Sequence, residues 1–452
     1  MIAIANIRTA YFLGIGGIGM SALARFLHSQ GAEIYGYDRT RTLLCQQLEN
    51  EGMHIHYTAD IAKIPPTVDV IVYTPAVPAD FEEFVFLQNK SIPMLKRAEL
   101  LGLITQSHFA VGIAGTHGKT TISTLTAHLL NQTPKKTSAF LGGISKNYGS
   151  NLLISDVTDA PMVVEADEFD RSFLKLHPDM AVVSSMDADH LDIYGHAEAI
   201  KRAFQDYADL VPESQPVFVK YKLPLRHKQC RYYHLDDHRA DYYTQNLRVD
   251  HRAYHFDFCA PQGTFHDLVM HYPGLHNVEN AVVSMAVALS LGATETEIRT
   301  GLASFTGVYR RFDIRINTPQ LMYIDDYAHH PNEIRTTIQS LKHFLKDKPI
   351  VGVFQPHLYT RTRDFADDFA KSLSLLDNLI LLDIYPAREQ PIPGITSQML
   401  LDKCTSPHKV LCHKSELIMK IKEQTPQVLL TMGAGDIDAY VEPITKAFST
   451  YE

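Results

Sequence analysis

The chain has 452 residues, 45% of them hydrophobic and 21% charged. That is the composition of a globular protein with apolar residues enough for several cores, roughly two to four domains by length. The net charge of −9 excludes a broad basic surface, so nucleic acid is not an expected partner; anionic small molecules can still bind at local sites. The five cysteines form no CxxC pair and no zinc spacing, which fits a reducing compartment better than a disulfide framework. The opening MIAIANIRTAYFLGIGG lacks a basic leader before an apolar core, so no signal peptide is expected. No apolar run reaches the ~18 residues of a membrane helix. A cytoplasmic location is expected.

Along residues 1–105 short apolar runs alternate with helical patterns. Residues 10–15, 33–38, 68–74 and 94–95 are predicted strands; 20–30, 42–50 and 81–88 are predicted helices. Such alternation predicts a parallel α/β sheet. Gly14-x-Gly16-x-x-Gly19 follows the first strand and opens the first helix, and Asp38 ends the next strand. This is the dinucleotide-binding fingerprint in its proper setting. It does not say whether the diphosphate belongs to NAD or to a nucleotide sugar.

Residues 106–311 carry a second glycine turn. A predicted strand at 108–114 runs into Gly115-Thr116-His117-Gly118-Lys119-Thr120, and a helix is predicted over 122–130. Glycines let backbone N–H groups approach phosphate oxygens, the helix N-terminus adds positive potential, the lysine reaches the terminal phosphates, and a hydroxyl can hold Mg²⁺. Strands are predicted at 162–165, 180–184 and 217–220, a solvated β-ribbon over 234–255, and a helix over 277–291 that Gly292 stops. EADEFD, from Glu165 to Asp170, follows a strand end, where its acids could bind Mg²⁺ or simply form a solvated turn. His190 lies between Asp189 and Asp192 after the next strand, a candidate for metal or phosphate contact. His276, Asn277 and Asn280 share a helix face and could read a purine edge; Asn277 reads equally well as an N-cap.

Residues 312–452 alternate again, with strands predicted at 322–326, 350–355, 378–383 and 428–432 and helices at 332–344 and 362–375. DDYAHHPNEI follows the first of these strands and places Asp326, Tyr327, His329 and His330 before Pro331, which opens a helix. FQPHLYTRTRDF offers His357, Arg361 and Arg363; arginine forks suit phosphate or carboxylate, and ordinary exposed helix charge is the other reading. GAGD at 433–436 is another strand-to-glycine turn, too short to be specific. Neither HExxH nor GxSxG is present, so zinc-protease and serine-hydrolase chemistry are unsupported.

Taken in order, GIGGIGMSALA, GTHGKTT, EADE, DADHLDIY, HNVEN, DDYAHHP and QPHLYTRTRD resemble the motifs of the Mur ligase family over nearly the whole chain. The resemblance implies three α/β domains: a Rossmann-like UDP-sugar-binding domain over 1–105, a central P-loop ATP-binding domain over 106–311, and a C-terminal Rossmann-like ligase domain over 312–452. It implies ATP and Mg²⁺, and ligation of L-alanine to the lactyl carboxylate of UDP-N-acetylmuramate through an acyl phosphate, in peptidoglycan precursor synthesis. The alternative is a recycling ligase that adds a tripeptide to the same nucleotide sugar.

By the same resemblance Gly16, Gly17, Ile18 and Gly19 face the diphosphate, with Asp38, Thr74 and Arg97 around the nucleotide sugar. Gly115, Thr116, His117, Gly118, Lys119, Thr120 and Thr121 bind ATP; Thr120, Glu165 and His190 match Mg²⁺ positions. His276, Asn277 and Asn280 match adenosine contacts, and Arg311 and Asp326 ribose or phosphate contacts. Tyr327, His329 and Arg361 are carried towards the reacting groups, with Tyr327 against the substrate. Lys119, His190, His329 and Arg361 are then the catalytic set. Two positions depart from the pattern: Leu358 stands where many relatives have arginine, and Phe204 where some sister ligases have a carbamylated lysine. Monomer and homodimer both stay open. A nicotinamide oxidoreductase would leave the second turn unexplained, and a nucleotide-gated scaffold would bind ATP without stoichiometric ADP release.

Overall fold

A computed structural model describes residues 3–187, 194–345, 348–387 and 389–449. They form a mixed α/β protein built on three mainly parallel sheets. The first has five strands in the order His54–His56, Glu33–Tyr37, Thr9–Leu13, Val70–Tyr73, Met94–Lys96, all parallel. Alternate residues of its central strand enter different cores: Ala10 and Phe12 pack into one, Tyr11 and Leu13 into another. Both faces are covered, which is why this strand reads as a continuous apolar run.

The second sheet runs Cys230–Tyr233, Val217–Lys220, Met180–Val183, Ala110–Ala114, Met162–Glu165, Ser138–Phe140, Leu152–Leu153. Its strands are parallel except the last pair. Ala110–Ala114 lies at the centre and is wholly buried. One hydrophobic core joins the first two sheets, with Phe12, Leu100, Phe140, Phe173 and Tyr207 among its members. Phe204 belongs to it, set edge-on to Phe173 at 5.3 Å between ring centroids, so that position packs and offers no ligand.

The third sheet has six strands in the order Asp313–Asn317, Met322–Asp326, Val428–Met432, Ile350–Phe354, Asn378–Leu382, His408–Cys412; only the first pair is antiparallel. The expected ribbon over 234–255 is only half right. Tyr243–Asp250, Ala253–Ala260 and Gly263–Met270 form a three-stranded sheet, and Tyr254, Phe256 and Phe258 are fully buried. Polar residues between those aromatics hid a strand with one apolar face.

The helix predicted over 362–375 is two, Tyr359–Asp364 and Ala366–Leu373, because Phe365 leaves helical geometry at φ −115° and ψ 18°. The chain gathers into two compact units, one of Met1–Asn246, Phe256–Leu268 and Glu279–Phe305, the other of Leu247–His255, Val269–Val278 and Thr306–Glu452. Among the described residues no helix is long and apolar enough to cross a membrane.

Candidate active site

The first glycine turn joins the strand Thr9–Leu13 to the helix Ile18–Ser29, whose N-cap is Gly17. Gly14 sits at φ +83°, where a side chain is strained, and Gly16 donates its N–H to Asp38 Oδ2 at 2.8 Å. Added Cβ atoms show what crowds the turn: at Gly14 one would lie 2.7 Å from Thr74 Cγ2, and at Gly19 2.8 Å from Arg97 Nη1. The structure therefore gathers Gly16, Gly19, Asp38, Thr74 and Arg97 at the C-terminal edge of the first sheet, where α/β folds bind ligands. Gly17, whose N–H turns back to Gly14 O at 3.3 Å, and Ile18 open the helix there, and its N-terminal end adds positive potential.

The second turn is tighter. Gly118 caps the helix Lys119–Leu130 at φ +86°, and a Cβ there would lie 2.9 Å from Asn280 Oδ1. Ser185 accepts the His117 N–H at 2.7 Å and the Thr116 hydroxyl proton at 2.9 Å, while His117 Nε2 lies 3.1 Å from Asp187 Oδ2. Thr120 and Thr121 follow Lys119 in the first helical turn and are buried. Ser185 carried no sequence signal beyond its place at a strand end.

Lys119 is the second turn's cation. Its Nζ donates to Gly115 O at 2.7 Å and pairs with Glu168 at 2.8 and 3.0 Å. Burial works to lower its pKa, but the carboxylates of Glu168, Asp167 and Glu165 overcome that and raise it, so the ammonium stays charged. Three carboxylates around one ammonium leave excess negative charge at the mouth of the turn, an environment that suits a divalent cation. Among the described residues no three His, Cys, Asp or Glu side chains converge into a metal cage; Mg²⁺ needs only one or two carboxylates besides phosphate oxygens and water.

The four acids of EADEFD have four different neighbours. Glu165 accepts the Gly142 N–H at 3.1 Å, Asp167 pairs with Arg97 at 3.0 Å, Glu168 with Lys119, and Asp170 directly with Lys96 at 3.2 Å on the exposed surface. Sequence reasoning singled out Glu165 and missed Asp167 and Glu168 as partners of site cations. Their only signal was membership of the acidic run. His190 lies outside the described residues.

The helix Leu275–Ser290 starts two residues earlier than predicted. Asn277 is therefore not its N-cap: its amide donates to Pro273 O at 2.6 Å from inside the first turn, and it is buried. His276 Nδ1 lies 3.0 Å from Ser340 Oγ, and Asn280 faces Gly118.

At the edge of the third sheet Asp326 ends the strand Met322–Asp326 and is buried. Its carboxylate accepts the N–H groups of Ala328 at 2.8 Å and Phe312 at 3.1 Å, and the Thr337 hydroxyl at 3.2 Å. Burial pushes its pKa up to about 6. It holds the turn that presents Tyr327, over whose ring the Arg311 guanidinium lies at 4.8 Å. Arg310 pairs with buried Asp325 at 3.0 Å and donates to Gly433 O at 2.8 Å, so it braces the same corner. Gln355 does similar work for GAGD, donating to Asp436 at 2.8 Å and accepting the Ile437 N–H at 2.9 Å.

His329, His357 and Arg361 come together here. The histidine rings are 6.4 Å apart, and Arg361 helps depress the pKa of both. Burial is the main cause in each case, and His357 is brought down to about 4. His329 Nδ1 lies 3.0 Å from Tyr327 O and 3.4 Å from a Glu333 oxygen. Both are acceptors, so Nδ1 carries the proton and Nε2 offers a lone pair. Leu358, between His357 and the helix of Arg361, holds φ +71°, a strained backbone of the kind that gathers at functional sites. Arg363 pairs instead with Asp364 at 2.7 Å, with half of each side chain exposed, which is the ordinary surface reading.

Two glycine turns for phosphates on parallel sheets, a buried lysine at one, and a third α/β sheet with its own basic corner define a nucleotide-dependent ligase architecture. The chain belongs to the Mur ligase family. Its models match as "Mur ligase family, catalytic domain" over residues 9–109, "Mur ligase middle domain" over 113–288 and "Mur ligase, glutamate ligase domain" over 310–435. A UDP-N-acetylmuramate–L-alanine ligase of Christiangramia forsetii is 47% identical over 448 residues, 98% of each chain. One of Porphyromonas gingivalis is 46% identical over 454 residues, 98% of this chain and 99% of the other. The crystal structure of a UDP-N-acetylmuramate–alanine ligase from Thermotoga maritima superposes with a TM-score of 0.83 at 27% identity, covering 99% of this chain and all 100% of that one. A murein peptide ligase from Psychrobacter arcticus shares the fold, with a TM-score of 0.69 at 21% identity over 97% and 98% of the two chains.

Proposed function

We propose that this protein joins L-alanine to the lactyl carboxylate of UDP-N-acetylmuramate at the expense of ATP, in peptidoglycan precursor synthesis. The observation that carries this reading is the pair of phosphate-type turns in one compact unit, one centred on Arg97 and Asp38, the other on Lys119. Whole-length likeness to curated relatives of one activity supports it.

The chemistry follows from need. A carboxylate is a poor acyl donor because oxide is a bad leaving group. The lactyl carboxylate oxygen attacks the terminal phosphorus of ATP, ADP leaves, and an acyl phosphate forms. The amine of L-alanine attacks its carbonyl carbon, and phosphate departs from the tetrahedral adduct. Two anions must meet in the first step, so Lys119 neutralises the phosphoryl oxygens. Thr120, Glu165 and, by the family resemblance, His190 would hold Mg²⁺, which would supply further charge neutralisation there. The residues 115–121 cradle the phosphates, with Asn280, His276 and Asn277 towards the adenosine, and Arg311 with the Asp326-held turn towards ribose or phosphate. Gly16, Gly17, Ile18, Gly19, Asp38, Thr74 and Arg97 hold the nucleotide sugar. Arg361 and Tyr327 serve the substrate side of the third sheet, and neutral His329 takes the proton that the attacking amine must lose. Working domains at 1–105, 106–311 and 312–452 assign one ligand region to each sheet. Five free cysteines suit a cytoplasmic enzyme.

The test is phosphate release with UDP-N-acetylmuramate, ATP and Mg²⁺ against L-alanine, glycine, L-serine and a tripeptide. L-Alanine is expected to be fastest. Faster use of the tripeptide would replace this reading by the recycling ligase.

A further inference from the structure

Asp167 and Glu168 are neighbours in sequence, yet they hold the cations of two different sites. Asp167 Oδ2 accepts from Arg97 Nη2 at 3.0 Å, at the first glycine turn; Glu168 pairs with Lys119 at 2.8 Å, at the second. In each pair donors are left over. Arg97 Nη1 faces Gly19 and makes no hydrogen bond among the described residues. Lys119 gives one proton to Gly115 O and one to Glu168, and an ammonium has three. A diphosphate and a triphosphate can therefore each be bound with both carboxylate pairs intact.

The segment between the two pairs is stiff. Ala166 N–H continues the sheet ladder to Ile113 O at 2.9 Å. Asp167 Oδ1 accepts the Phe169 N–H at 3.1 Å, Asp167 O the Phe173 N–H at 2.9 Å, and Glu168 O the Tyr194 hydroxyl at 2.6 Å. Asp170 and Arg171 are fixed at φ +52° and +53°. Glu168 is buried, whereas about a third of the Asp167 side chain is exposed. A backbone rotation that moved one carboxylate would carry the next one with it.

We infer that Asp167 and Glu168 are positioning residues on one rigid strap, and that through it the nucleotide sugar and ATP bind cooperatively. This rests on the substrates proposed above. A diphosphate on Arg97 fixes the Arg97–Asp167 pair, the strap then holds Glu168 against Lys119, and the triphosphate meets a cation already in place. Part of the ordering cost of the second ligand is met by the first. Coupling of this kind is reciprocal.

The test is calorimetry on the full chain with Mg²⁺, using UDP-N-acetylmuramate and a non-hydrolysable ATP analogue, each titrated alone and with the other saturating. In the wild type, each is expected to tighten the other at least about fivefold. Asp167→Asn, which keeps the volume, should weaken the nucleotide sugar alone and bring the coupling close to one. Glu168→Gln should weaken the ATP analogue alone, leave binary binding of the nucleotide sugar unchanged, and also remove the coupling. Asp170→Asn, which breaks only the exposed pair with Lys96, should keep it. Wild-type protein that binds both ligands without coupling overturns the inference and leaves the proposed function standing. So does coupling that survives both variants, even where their melting temperature falls. Wild-type protein that binds neither ligand overturns both.

Discussion

The two glycine turns follow the same plan of strand, turn and helix, and they obtain their positive charge in opposite ways. In the second turn the cation is local: Lys119 is the first residue of the helix that the turn opens, and its N-cap Gly118 is left-handed at a place where Asn280 also leaves no room for a side chain. In the first turn the helix opens on glycine and apolar residues, and the cation, Arg97, arrives from a helix beyond the last strand of the sheet. The difference shows which site is set by chain-local chemistry and which by assembly. A local cation is placed by its own helix. A remote one needs a second group to aim it, and Asp167 supplies that aim.

Removing the local cation should have the largest effect. Lys119→Ala is expected to lower kcat by about a thousandfold, as loss of a preorganised charge does, with the circular dichroism of the folded chain retained. Turnover near wild type would erase the contrast. Arg361→Ala should lower kcat about a hundredfold while the Kd of UDP-N-acetylmuramate stays put; a pure binding defect would move Arg361 to the nucleotide-sugar side. Arg97→Ala should raise the KM for UDP-N-acetylmuramate about ten- to a hundredfold, the value of a charged hydrogen bond, with a smaller change in kcat. An equal loss of kcat would make the remote cation act like the local one.

A smaller effect is expected from pH. The folded pKa of Asp326, about 6, lies above its ordinary 3.8, so the native state holds a proton that the unfolded chain releases. Its contribution to stability is present below about pH 4 and is lost as pH rises through about 6. Melting curves of Asp326→Asn and wild type should diverge in that window, and parallel curves would show that the buried turn does not titrate. The smallest effect belongs to Arg363→Ala, which should leave kcat within about twofold and stability within about 0.5 kcal/mol, because its pair with Asp364 is exposed.

The legibility of the sequence follows the same division. The strand Ala110–Ala114, the turn and Lys119 were plain because adjacent residues make them. The strand His54–His56 is too short for an alternation to show, and the Ala253–Ala260 strand hid among polar residues. EADEFD announced an acidic site without sorting its members, since carboxylates one position apart look alike until Arg97 and Lys119 approach from different elements. Asn277 reads in the sequence as either a cap or a purine contact, and the cap reading falls because the helix starts two residues earlier, at Leu275. Asp326 reads in the sequence as a ribose or phosphate contact; its burial and its role in holding the Tyr327 turn depend on the packing around it.

By itself the sequence determined the parallel α/β class, the two phosphate-type turns and the family, because periodicity, glycines and a helix-opening lysine act over a few residues. Only the tertiary structure decided which carboxylate partners which cation, that Asp167 aims Arg97, and that His357 joins His329 and Arg361 in one corner. The physical reason is range. Backbone hydrogen bonding is settled between near neighbours in the chain, whereas charge pairing and burial depend on distances that exist only after the sheets have assembled.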